Sequence, residues 1–218
     1  MRHSNEQCSS SVGLSRRDAA IKRLFDLVLS MFGLALTGGF ILVGWLVATV
    51  DTGENGFFRQ ARIGRFGIPF KVVKLRTMKN VSSQESTVTV RGDSRITPIG
   101  SWLRRLKLDE LPQLWNVLVG EMSFVGPRPD VAGFADRLTG EDRVILSIRP
   151  GITGPATLQF RDEEVLLASQ TDPERYNRET LYPEKVRINR MYVEHYSFGK
   201  DVQYIVRTIF AADNKESK

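Results

Sequence analysis

The longest single pattern in the chain is apolar: from Leu27 to Val50, LVLSMFGLALTGGFILVGWLVATV, no charged residue occurs for 24 positions. As one straight helix the run would be about 36 Å long against a hydrocarbon core of about 30 Å, so it has membrane length. It exceeds the roughly 7 to 15 apolar residues of a signal-peptide core, and Ala48-Thr49-Val50 makes a poor cleavage site. Arg16, Arg17, Lys22 and Arg23 precede it, and Arg59, Arg62, Arg65, Lys71, Lys74 and Arg76 follow. Basic residues at both ends fit a segment that enters and returns on one face. The break would fall at Thr37-Gly38-Gly39, because each glycine costs a helix about 0.8 to 1 kcal/mol relative to alanine. The competing pattern is one spanning helix whose small residues pack against a partner.

Downstream the periods shorten. FFRQARIG (57–64) and IPFKVVKLRTM (68–78) are β-rich runs joined by Gly64-Arg65-Phe66-Gly67, which predicts a hairpin carrying basic side chains. Residues 79–97 are polar and read as a loop. In PIGSWLRRLKL, Ile99, Trp102, Leu103 and Leu106 recur at helical spacing with Arg104, Arg105 and Lys107 off the stripe, a short basic amphipathic helix suited to the headgroup boundary or to the core surface. Leu111, Leu114, Trp115 and Leu118 follow at i, i+3, i+4 and i+7, with Pro112 in the first turn and Gly120 as a stop. EVLLAS (164–169) and VQYIVRTIF (202–210) are apolar enough to rest on the core or the membrane, and the second is the better interfacial candidate.

Composition narrows the partners. Lys plus Arg number 31 against 25 Asp plus Glu, giving +6 and a pI near 9.6, which favours an anionic ligand or surface. A nucleic-acid module would show an aromatic-interleaved basic stripe without a 24-residue apolar run. The single Cys8 excludes an internal disulfide and a cysteine metal cluster. His195, alone in YVEHYSF, reads as a packing or interface residue, and His3 lies in the N-terminal tail.

Chemistry concentrates in LKLDELPQLWNVLVGEMSFVGPRP, Leu106–Pro129. Asp109 and Glu110 stand at or near a helix start, where Asp109 could be merely an N-cap. Backbone N–H groups and the helix dipole also draw phosphates to such an end, with Arg104, Arg105, Lys107 and Arg128 nearby in sequence. A carboxylate can attack phosphorus to form an acyl phosphate, with Mg²⁺ offsetting charge repulsion and arginine supplying paired hydrogen bonds. These features predict phosphoryl-type chemistry at a membrane surface.

Five segments, in order, carry a resemblance: KRLFD at 22–26, KLRTM at 74–78, DSRITPIG at 93–100, LRRLKLDELPQLWNVLVGEMSFVGPRP at 103–129 and RPGITG at 149–154. Over roughly Lys22 to Phe210 the chain resembles the bacterial sugar transferases, monotopic phosphoglycosyl transferases that begin lipid-linked glycan assembly. The resemblance implies a helix-rich, mixed α/β fold: a tail at 1–20, a re-entrant membrane helix at 21–50 broken at Thr37, Gly38 and Gly39, a cytoplasmic catalytic domain at 51–212 with a short hairpin and interfacial helices, and a tail at 213–218. It implies that Asp109, also the candidate Mg²⁺ ligand, attacks the β-phosphorus of a UDP-sugar and releases UMP, and that polyprenyl phosphate then takes the phosphosugar. Glu110 would assist Mg²⁺ placement or proton removal. Lys74, Arg104 and Arg128 match basic positions near the phosphates, and Arg149 and Arg161 join them as candidates. The partners implied are the UDP-sugar, polyprenyl phosphate, membrane lipid at the cytoplasmic face of the bacterial inner membrane and downstream glycosyltransferases, with no nucleic acid and with a homodimer left open. A non-catalytic scaffold of the same pathway would keep the anchor but need not keep the two acids.

The chain also departs from the family. Members commonly bend the membrane helix at Ser-Pro, whereas here Thr37-Gly38 stands there and no proline lies between 19 and 68. After RPGITG the usual Trp-Ala-Gln-Val-Asn-Gly-Arg is PATLQFR, keeping Ala156 and Arg161 in register, and Asn189 replaces a common acid. With the acidic DEE at 162–164, these changes mark a distinct subgroup.

Overall fold

The computed structural model describes residues 13–79 and 93–213. Readings placed on the tails, including Cys8 and His3, and on most of the polar loop at 79–97 lie outside the described residues. The part of that loop that is described pairs at its edges, with Met78 bridging Ile96.

Helix α1 (Arg16–Thr52) opens on Ser15, whose hydroxyl accepts the Asp18 N–H, and closes on Gly53 in the left-handed conformation. It runs without interruption through Thr37, Gly38 and Gly39, so the expected helix-break-helix is corrected to one continuous helix that starts at Arg16. The reason is local. No proline removes a backbone donor, and two glycines together cost only about 2 kcal/mol. The Thr37 hydroxyl donates back to the Gly33 carbonyl at 2.7 Å, a contact that bends helices without breaking them.

At 100° per residue, Lys22, Asp26, Ser30, Gly33, Ile41, Gly44 and Ala48 fall within about 100° of one another. This stripe meets the rest of the protein: Gly33 faces Leu114 and Gly44 faces Leu75. The opposite face exposes Leu24, Val28, Met31, Phe32, Leu42, Val43, Leu46 and Val50. The helix is long and apolar enough to cross a membrane, and its free face is the kind that lipid covers.

The expected hairpin is present. Strands β1 (Phe57–Ile63) and β2 (Pro69–Leu75) pair antiparallel, with Phe58 opposite Lys74 and Ile63 opposite Pro69. Phe66 and Gly67 carry the turn at positive φ. The two predicted helices also form, as α2 (Pro98–Arg105) and α3 (Gln113–Val119), separated by a 3-10 turn at Leu108–Glu110. A second small sheet joins β3 (Ser123–Val125) in parallel to β4 (Gly151–Thr153). The remainder is helical: α4 (Pro155–Gln159), α5 (Glu163–Ala168), α6 (Pro173–Tyr176), α7 (Tyr182–Glu194) and α8 (Phe198–Asp213).

One core packs Ile63, Ala135, Ile145, Leu146 and Val186 under the hairpin. Another joins Val72, Val117 and Met122 between β2 and α3. A buried polar cluster ties the chain ends together: Lys22 reaches Asp201 at 2.5 Å, and the Tyr192 and Tyr196 hydroxyls donate to the same carboxylate at 2.6 and 3.2 Å. Asp26 accepts from Ser123 Oγ and the Phe124 N–H.

Candidate active site

The two acids sit on the turn between α2 and α3. Lys107, at φ +59°, reverses the chain direction, and Leu108–Glu110 form one tight turn before Pro112 leads into α3. Asp109 is therefore not the N-cap of α3; that position belongs to Pro112, which offers no side-chain cap. The turn is fastened to the hairpin by Asn116. Its Oδ1 accepts from the Val73 N–H at 3.0 Å, and its Nδ2 donates to the Lys71 carbonyl and to Glu121. With β2 locked beside α3, Lys74 Nζ lies 3.0 Å from Glu110 Oε1.

Arg128 approaches the same oxygen, its Nη2 2.6 Å from Glu110 Oε1. The turn that carries it is held from two sides. Gly126 N–H donates to Thr153 O, and Gly151 N–H donates to Pro127 O. A Cβ on Gly151 would lie 2.1 Å from Gly126 N, so the two motifs Gly-Pro-Arg-Pro and Arg-Pro-Gly-Ile-Thr-Gly can approach only as glycines. On the other side Ile63 N–H donates to Asp130 O and Arg62 Nη1 to Pro129 O at 3.2 Å.

The two acids differ in charge state. Burial would raise the Glu110 carboxyl, but Arg128, Lys74 and Lys107 outweigh it and hold it well below the usual carboxylate range. Asp109 is 6 % exposed, and its Oδ1 finds no hydrogen-bond partner among the described residues. Burial first, then the adjacent Glu110 charge, push its carboxyl up, against Lys74, Arg104 and Lys107. Glu110 is thus a paired anion, and Asp109 is a more basic carboxylate in a cationic surround. Burial pulls the Lys74 ammonium down, with Glu110 opposing.

The structure brings Asp109, Glu110, Lys74, Arg104 and Arg128 together. Arg104, on the last turn of α2, acts on Asp109 and is ion-paired to Glu164 of α5. Arg149 is placed elsewhere: its Nε donates to Gly120 O at 2.7 Å, capping the far end of α3, where Arg23 also holds the Val117 and Leu118 carbonyls. Arg161 is exposed between α4 and α5. His195 is exposed at the end of α7, its Nδ1 3.1 Å from Met191 O, and so does not pack in the core.

Sequence reasoning overlooked Asn116, Arg62 and Asp130. Asn116 falls about 140° from Leu111, off the apolar stripe, so the stripe gave no signal of its burial. No local pattern marks Asp130, whose carboxyl burial lifts to about 6 against Lys185 and Arg62.

Among the described residues no three His, Cys, Asp or Glu side chains gather as a metal cluster. The donor set is one free carboxylate, Asp109, beside an acid already committed to cations. That set suits Mg²⁺, which takes one or two carboxylates together with substrate phosphates and keeps several waters.

The family model described as "Bacterial sugar transferase" matches residues 17–214. A putative undecaprenyl-phosphate N-acetylgalactosaminyl 1-phosphate transferase of Bacillus subtilis is 40% identical over 126 residues, 57% of this chain and 70% of its own length. A UDP-glucose:undecaprenyl-phosphate glucose-1-phosphate transferase of Caulobacter vibrioides is 33% identical over 192 residues, 86% of this chain and 68% of its own. The exopolysaccharide production protein ExoY of Sinorhizobium fredii is 34% identical over 205 residues, 86% and 83% of the two chains.

Proposed function

Because the chain belongs to the bacterial sugar transferase family, we propose that it transfers a phosphosugar from a UDP-sugar to undecaprenyl phosphate and releases UMP, with Asp109 as the covalent nucleophile. The observation that carries the reading is the asymmetry of the two acids: Glu110 is neutralised by Lys74 and Arg128, while Asp109 keeps an unpartnered oxygen among cations.

In the first half-reaction a carboxylate oxygen of Asp109 attacks the β-phosphorus. The bond from that phosphorus to the bridging oxygen breaks, and UMP leaves with the oxygen and its electron pair. The product is an acyl phosphate on Asp109. In the second half a phosphate oxygen of undecaprenyl phosphate attacks the same phosphorus and restores the carboxylate, giving the lipid diphosphate sugar. Arg128 and Lys74 hold the phosphate oxygens and cancel developing charge, and Arg104 orients the diphosphate from α2. Glu110 fixes those cations in place. Asp109, together with the substrate phosphates, would hold Mg²⁺, which would supply further neutralisation of the anionic reactants.

In this reading α1 stays continuous but bends near Thr37, whose hydroxyl donates to the Gly33 carbonyl, so that both flanks face the cytoplasmic side and the nucleotide and the lipid phosphate meet at the headgroup level. The product begins a lipid-linked glycan such as an exopolysaccharide, capsule, O-antigen or glycoprotein chain. Downstream glycosyltransferases extend it.

The test is UMP release by nanodisc-held protein with Mg²⁺ and undecaprenyl phosphate across a panel of UDP-sugars. Release with one sugar that disappears in Asp109→Asn and in chelator supports the reading; equal activity of the variant removes the covalent step. Topology is read by replacing Cys8 and placing single cysteines at 17 and 54. Labelling of both from the cytoplasmic side fits the re-entrant seat, and labelling from opposite sides fits a spanning helix.

A further inference from the structure

The acidic segment at 162–164 opens α5, a short helix anchored by the buried Leu167. Its first two residues reach in different directions. Glu164 is ion-paired with Arg104 of α2, and Glu163 Oε1 lies 2.6 Å from Lys185 Nζ of α7. Glu163 also acts electrostatically on Arg128, the cation that holds Glu110. One helix start therefore bridges α2 and α7 and places two carboxylates among the cations that border Asp109.

This arrangement is poorly explained as a stability device. The Arg104–Glu164 pair is open to solvent, with side chains 25% and 47% exposed, and such pairs stabilise a fold little. Its position is the informative part. Arg104 is a cation of the candidate phosphate site, and a guanidinium engaged by a carboxylate presents fewer donors to a phosphate.

We propose that α5 is a displaceable strap in which Glu164 occupies Arg104 until the diphosphate of a nucleotide substrate takes its place. The inference rests on the phosphosugar-transfer reading and adds to it a selection step. A ligand gains Arg104 only by offering enough negative charge to displace Glu164. The diphosphate of a UDP-sugar presents two linked phosphates to the cations around Asp109, whereas UMP presents one, which favours entry of the UDP-sugar and departure of UMP.

The test uses the full chain in nanodiscs and UDP as the probe, with binding measured by calorimetry. Glu164→Gln is expected to bind UDP about 1.5-fold to fivefold more tightly at low salt, the range set by an exposed ion pair, with the difference closing near about 1 M salt. Glu164→Ala, which also removes the neutral hydrogen bond, is expected to gain at least as much, and UDP should speed amide exchange across 163–168 in the wild type. A purely structural Glu164 would not produce a salt-dependent gain in affinity. Equal or weaker UDP binding by both variants, with exchange at α5 unmoved, overturns the strap. Failure of wild type and variants alike to bind UDP overturns the nucleotide-sugar reading, and the strap with it.

Discussion

Asp109 and Glu110 are neighbours in sequence but face opposite electrostatic conditions, and the difference sets what each substitution should do. Asp109→Asn removes the attacking oxygen, and UMP release is expected to fall by at least about 10³-fold, as when other covalent nucleophiles are lost. Arg128→Lys keeps the charge but loses the planar pair of donors, and kcat/KM should drop about 10- to 100-fold. The raised carboxyl of Asp109 also fixes a sign. Its carboxylate is lost on acidification at a higher pH than an ordinary aspartate, near 3.9, so the acid limb of kcat/KM should lie above that value. Lys107 lowers the Asp109 carboxyl, and its backbone sits at φ +59°. Lys107→Gly preserves that conformation while removing the cation, so the acid limb should move further up in a pH–rate profile. Asp130 gives a stability counterpart. With its folded carboxyl at about 6 against 3.8, the folded state binds the extra proton between these values. Stability therefore falls as pH rises through that window, and Asp130→Asn should flatten the decline in thermal unfolding.

The elements themselves were largely legible from spacing. The β-rich runs around Gly64–Gly67, the amphipathic 98–105 and the helix over the Leu111–Leu118 series all form where their periods place them, although α3 buries Gln113, Leu114, Asn116 and Val117 and leaves Trp115 exposed. So did the pairing of Asp109, Glu110 and Arg128 in one stretch. Contacts between distant segments were not legible. Nothing local announces that Arg149 turns to Gly120 O rather than to the acids, or that Arg62 holds the turn bearing Arg128. The glycine pair in α1 misled because a propensity cost near 2 kcal/mol is small beside the contacts that seat both flanks of the helix. Gly38 and Gly39 meet nothing within 4 Å at a built Cβ. The double change to alanine should therefore raise the unfolding midpoint, by about 1 to 2 kcal/mol of added helix stability. Full activity would mean the continuous helix is competent, and loss of turnover despite greater stability would show that catalysis needs flexibility there.

Across the whole molecule, the apolar helix is held to the domain by charge as much as by packing. Asp201 accepts from Lys22, Tyr192 and Tyr196, with the Lys22 and Asp201 side chains 8% and 2% exposed. Asp201→Asn leaves a buried ammonium without its counter-ion and should cost about 3 to 5 kcal/mol, measured by denaturant unfolding in detergent. That pair closes a span of 179 residues. At a synthesis rate of roughly 5 to 20 residues per second, Lys22 is synthesised about 9 to 36 s before Asp201 exists. For that interval it belongs, with Arg16, Arg17 and Arg23, to the positive charge at the leading edge of an apolar segment, which biases which way the segment enters a bilayer. The same lysine thus acts first as an address for insertion and only afterwards as a clasp, and the order is imposed by where the two residues lie along the chain.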